Sequence, residues 1–71
     1  MNKQRRKEIK KAISELKDLV ENILSEEQEA YENMPEGIQA SENGMNSEEA
    51  QENLEAACEA LEEAICCLEE I

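Results

Sequence analysis

The side chains able to do chemistry in this chain of 71 residues are 19 carboxylates, seven Lys and Arg and three Cys, with no His among them. Histidine is the commonest general base and metal ligand. Its absence excludes Ser-His-Asp and Cys-His nucleophile systems, HExxH zinc sites and Glu-x-x-His di-metal sites from this chain. Gly37 and Gly44 are the only glycines, too few for a phosphate-cradling loop, and no Asp-x-Asp-x-Asp-Gly run offers a calcium loop. Three cysteines do not make a disulfide framework, and their thiolates would hold a soft metal only with help from a partner chain. Cys58 and Cys67 are expected as buried, inert thiols flanking an apolar face, and Cys66 as an outward thiol open to oxidation between chains. The expectation is no enzyme, no cofactor and no metal.

Charge is distributed by position. All seven bases lie in residues 1–17, which carry +5, while residues 18–71 carry −17. Arg5, Arg6, Lys7, Lys10 and Lys11 form a candidate phosphate-binding cluster. Glu48, Glu52, Glu55, Glu59, Glu62 and Glu69 form a candidate partner-binding acidic face. Residues 47–71 hold nine Glu over about 37 Å of helix, so two copies side by side would approach the charge density of duplex DNA. The alternative is a solvated face that keeps a small protein soluble. Net charge of −12 disfavours direct nucleic-acid binding, though a small nucleotide held between subunits would be repelled less.

Apolar residues at Ile9, Ile13, Leu16, Val20, Ile23, Ala30 and Met34 trace a heptad seam interrupted at Glu27, which predicts a first helix over about 3–34. Pro35 ends it. The connection, about 35–41 or 35–46, holds the only Pro and both Gly. It offers a candidate recognition corner at Tyr31, Asn33, Met34, Pro35, Glu36 and Gln39, against a structural reading in which Met34 and Ile38 plug the end of a bundle. A second seam, Ala50, Leu54, Ala57, Leu61, Ala64, Leu68 and Ile71, predicts a helix running to 71. Its start is open between Ser41, which puts Gly44 inside the helix, and Asn46 or Ser47, with Asn46 and Glu49 as a capping box. The balance of helix lengths leans to Ser41.

Two amphipathic helices with a short link predict an all-α fold, an antiparallel, coiled-coil-like helical hairpin spanning 1–71 as one domain. Folding back sets the basic start beside Glu62, Glu63, Glu69 and Glu70, relieving two clusters that each sit at the wrong pole of their own helix dipole. The positions flanking the second seam (Gln51, Asn53, Cys58, Ala60, Ile65 and Cys67) carry no charge, so the apolar stripe is wider than one partner helix covers. That predicts self-association into a dimeric four-helix bundle or a higher oligomer, with a core of Ile13, Leu16, Leu19, Val20, Ile23, Leu24, Leu54, Leu61, Ile65 and Leu68. No apolar run spans a membrane and no apolar leader follows the basic start, so a cytoplasmic location is expected.

The run Tyr31-Glu32-Asn33-Met34-Pro35-Glu36-Gly37-Ile38-Gln39, then Ser41-Glu42, then the Leu-Glu-x-Ala units at Leu54 and Leu61, resembles small acidic helical proteins of phages and prophages of Gram-positive bacteria. The resemblance implies a phage accessory protein acting in the host cytosol, and such proteins often disarm a host system. The expected function is therefore non-enzymatic binding that inhibits or sequesters a host defence protein, with a second copy as the other partner. The alternatives are an oligomeric sponge for a phosphorylated nucleotide signal, held by the basic N-terminal segment, and a structural adaptor in a phage assembly.

Overall fold

In the computed structural model, which describes residues 1–71, helix α1 spans Lys3–Glu32. Nothing in that stretch breaks a helix, and Asn2 caps it by accepting a hydrogen bond from the Arg5 N–H at 2.9 Å. α1 ends two residues before the expected boundary near 34. Asn33 is its cap, and the Met34 N–H closes a turn onto the Tyr31 carbonyl at 3.1 Å. Pro35 disfavours a helical Met34, so its influence reaches back into the last turn.

The connection is not irregular throughout. Glu36–Gln39 form a single helical turn, α2, in which the Pro35 carbonyl accepts from the Ile38 and Gln39 N–H groups at 2.9 and 3.0 Å. Proline preorganises that start because it has no N–H to leave unpaired. Ile38 is 43% exposed, so it does not plug the end of the helix pair; Met34 is half-buried.

Helix α3 spans Glu42–Glu69, with Ser41 extended before it and Glu70 as its cap. It starts at the earlier of the two candidate positions, and Asn46 lies inside the helix, so no capping box forms there. The Ser41 hydroxyl does not cap α3 either; it donates to the Ile38 carbonyl. Glycine inside a helix costs about 1 kcal/mol relative to Ala. Here the backbone of Gln39 lies against Gly44, and a Cβ would fall 2.6 Å from the Gln39 Cα. The close approach explains the glycine.

α1 and α3 pack along their lengths in a rod 55 Å long and 14 by 11 Å across. Lys10 pairs with Glu69, Lys17 with Glu62, Glu27 with Ser47 and Tyr31 with Glu48. Of the four glutamates expected beside the basic start, Glu62 and Glu69 pair with Lys17 and Lys10, and Glu63 and Glu70 make no ion pair.

The rows that meet differ from the expected seam on α1. The half-buried residues include Lys10, Lys17, Leu24 and Tyr31 in one row and Arg6, Ile13, Val20, Glu27 and Met34 in the next, with Gln28 beside them. Ile9, Leu16 and Ile23 are exposed, as is Leu19. The seam shifts by one row because Lys17 and Glu27 find partners across the interface and their aliphatic stems can pack there. On α3 the expected seam does face inward, with Ala50, Leu54, Ala57, Leu61, Ala64 and Leu68 half-buried. Ile71 lies outside it and is exposed. No hydrophobic side chain is fully buried; Gly44 and Ser47 are the only residues that are.

Candidate functional site

The shifted register divides the rod into two unlike edges. Along one, rungs recur at heptad spacing on both helices: Lys10 with Glu69 at 3.7 Å, Lys17 with Glu62 at 3.1 Å, and the Tyr31 hydroxyl donating to Glu48. Lys17 also reaches Glu21, one turn on, at 3.4 Å. Helical periodicity puts Leu24 and Glu55 at the missing rung. On the other edge the same periodicity sets Ile9, Leu16 and Ile23 beside Ala50, Ala57 and Ala64, with no charge among them. Leu19 is 54% exposed, farther out on that side.

The expected acidic face is therefore split. Glu48, Glu62 and Glu69 turn towards α1 and hold it, while Glu52, Glu55 and Glu59 have no cationic partner. The glutamate bond to Lys17 raises the pKa of that ammonium, outweighing the opposing effect of partial desolvation. The carboxylate of Glu48 likewise raises the pKa of the Tyr31 phenol, because ionising the phenol would remove the bond and set two negative charges together.

At the open end, four bases converge. Lys3, Arg6, Lys7 and Lys10 line a cleft of about 320 Å³ whose fifth wall is Glu69, with no hydrophobic residue in it. Arg6 Nη1 donates to the Ile71 carbonyl at 2.9 Å, tying the cleft to the end of the chain. Of the five bases expected to bind phosphate, Arg6, Lys7 and Lys10 meet in the cleft, whereas Arg5 and Lys11 do not line it. Lys3, from the same basic run, lines the cleft as well; the 3, 6–7, 10 spacing is one face of a helix.

At the closed end the expected corner residues serve as structure. Gln39 donates through Nε2 to the Tyr31 carbonyl at 2.9 Å, and Tyr31 reaches on to Glu48. Asn33 and Pro35 are the caps of α1 and α2, and Glu36 sits in the first turn of α2. Ser47, 4% exposed, donates to Glu27 at 2.7 Å and accepts from Gln51 Nε2 at 3.4 Å. The interruption of the first seam at Glu27 is the trace of this network in the sequence.

All three cysteines are free thiols. Cys58 is half-buried, and burial is the main reason its pKa is raised, with Glu21 and Glu62 adding to it. Cys67 is exposed, contrary to its expected burial, because the α3 row that meets α1 is that of Cys58 and Ile65. Cys66 is exposed as well.

No family model, curated protein or solved structure matches the chain. No helix is long and apolar enough to cross a membrane.

Proposed function

We propose that the chain is a non-enzymatic binding protein that works as a self-associated antiparallel helical hairpin. Two copies would join along their apolar edges into a four-helix bundle. In the phage accessory role that its corner resembles, the assembly would sequester a host protein in the cytoplasm through acidic residues that the hairpin leaves unpaired.

The observation that carries this reading is the exposure of Ile9, Leu16, Leu19 and Ile23 in a chain with no fully buried hydrophobic residue. A helix pair of this size gains little from its own core, and self-association is the usual remedy. Of the expected oligomer core, Ile13, Val20, Leu24, Leu54, Leu61, Ile65 and Leu68 are half-buried between the chain's own two long helices. Leu16, Leu19 and Ile23 are the part left for another copy. The rows of Ile9, Leu16 and Ile23 and of Ala50, Ala57 and Ala64 carry no acid, so two chains of −12 can meet along them with most of their glutamates held apart.

Glu52, Glu55 and Glu59 support the binding half of the proposal. They lie within one another's reach on α3 and have no cation of their own, so like-charge repulsion is relieved only by a basic partner or by salt. A host protein with a basic surface fits that need.

Light scattering tests the assembly: a dimer is expected, with Leu16→Glu/Ile23→Glu converting it to a monomer. A monomer for the unaltered chain at micromolar concentration overturns it. Capture from host extract tests the partner. A single protein should be retained, and Glu52→Gln/Glu55→Gln/Glu59→Gln should release it. Retention that ignores those changes overturns the role of the face.

A further inference from the structure

We propose that the cleft formed by Lys3, Arg6, Lys7, Lys10 and Glu69 binds a compact oligophosphate, a ligand with two or three linked phosphoryl groups.

Charge pairing within the chain is the first support. There are 19 acids for seven bases, so every base could have found a carboxylate. Only Lys10 and Lys17 do; the other five lie within ion-pair distance of none, and the cleft gathers three of them, Lys3, Arg6 and Lys7. Lys3 opens α1, whose first turn contains no acid, and Arg6 and Lys7 lie one turn on. Bases at a helix N-terminus sit at the positive pole of its dipole, so the unfavourable field there is strongest just where the cleft opens. A bound anion would relieve both terms at once.

The walls are held in place. Arg6 uses one guanidinium N–H on the Ile71 carbonyl, which fixes the fork and leaves further donors for a ligand. Lys10 and Glu69 are 3.7 Å apart, with side chains 38% and 58% exposed, a pair weak enough for a phosphoryl group to displace. A volume of about 320 Å³ lies at the lower end for small-molecule sites.

Length selects the ligand. Lys3 to Lys10 spans about 10 Å of helix, more than one phosphate can bridge and within reach of a di- or triphosphate chain. A longer polyanion is opposed on the same edge, because beyond Lys10 the rungs present Glu62 and Glu48. The cleft belongs to one chain and lies on the charged edge. It therefore stays open whether or not copies associate along the apolar edge, and its test is independent of theirs.

Calorimetry with inorganic tripolyphosphate at constant ionic strength decides the matter. One ligand per chain is expected, with a Kd of about 1 mM or tighter. Lys3→Gln/Lys7→Gln should weaken binding about tenfold or more. Neither residue makes an ion pair, so α1 should persist by circular dichroism. Arg5→Gln/Lys11→Gln removes the same charge outside the cleft and should leave binding within about twofold of the unaltered chain. Absence of saturable binding overturns the proposal, and so does an equal loss in the two double variants, which would make the ligand's attraction one of general charge.

Discussion

Gly44 and Gln39 touch backbone to backbone where α2 meets α3, and a Cβ on residue 44 would sit 2.6 Å from the Gln39 Cα and closer still to its carbonyl group. No side-chain rotation can relieve a clash with main chain. Gly→Ala in a helix interior ordinarily stabilises by about 1 kcal/mol. Here the sign reverses: Gly44→Ala is expected to destabilise by at least that amount. Gly37, in α2, has nothing within 4 Å of its would-be Cβ, so Gly37→Ala should be neutral or stabilising by about 0.5–1 kcal/mol. Urea unfolding of the two variants checks the contrast.

Ser47 and Glu27 form the most buried polar contact between the long helices. Ser47→Ala leaves the carboxylate of Glu27 facing a methyl group, at an expected cost of about 1–3 kcal/mol. Replacing both partners, as Ser47→Ala/Glu27→Leu, removes the unsatisfied group and restores the heptad that Glu27 interrupts. The double variant should unfold later than Ser47→Ala alone, and later than the unaltered chain. Equal midpoints for the single and double variants would show that the carboxylate is solvated.

The seam of α3 was legible because Leu54, Leu61 and Leu68 are its only leucines and recur at heptad spacing beside Ala50, Ala57 and Ala64. α1 carries two overlapping apolar rows, and periodicity alone cannot say which one meets α3. That choice is made by polar residues: Lys17 and Glu27 are interfacial because Glu62 and Ser47 stand opposite them, a fact held in the pairing of two segments and not in either. The start of α3 had two local solutions. The Gly44–Gln39 contact that accompanies the earlier one is tertiary, so no local signal could rank it. In the same way the basic cluster was plain as composition. Which of its members line a cleft depends on the rotation of α1 against α3.

Lys17 Nζ and Glu62 Oε1, 3.1 Å apart, offer a test of register. Glu62→Lys sets like charges across the interface and should lower stability; Lys17→Glu adds a third acid beside Glu21 and Glu62 and should do the same. The exchange Lys17→Glu/Glu62→Lys should recover part of the loss, with the shortfall coming from Glu21, which is then beside a carboxylate. Both side chains are open enough to water that the coupling will be small and will shrink in salt. A double-mutant cycle at low and high ionic strength measures it. Strictly additive effects at low salt would mean that the two helices pair in another register.

Alkali should loosen the charged edge. Lys17 and Tyr31 both have folded-state pKa values raised above their ordinary ones, each by a glutamate on α3. A raised pKa means that the folded state holds its proton more tightly than the unfolded chain. The corresponding stability is fully present below the unfolded values and is lost as pH rises through the folded ones. Because tyrosine and lysine ordinarily titrate at about 10 to 10.5, the share of these two groups in the unfolding midpoint should be flat from neutrality to about pH 9 and be lost above pH 10. Tyr31→Phe removes the phenol's share at all pH values and should flatten the first part of that loss. Cys58, raised chiefly by burial, should correspondingly alkylate more slowly at pH 8 than exposed Cys66, which peptide mapping after brief iodoacetamide treatment would show.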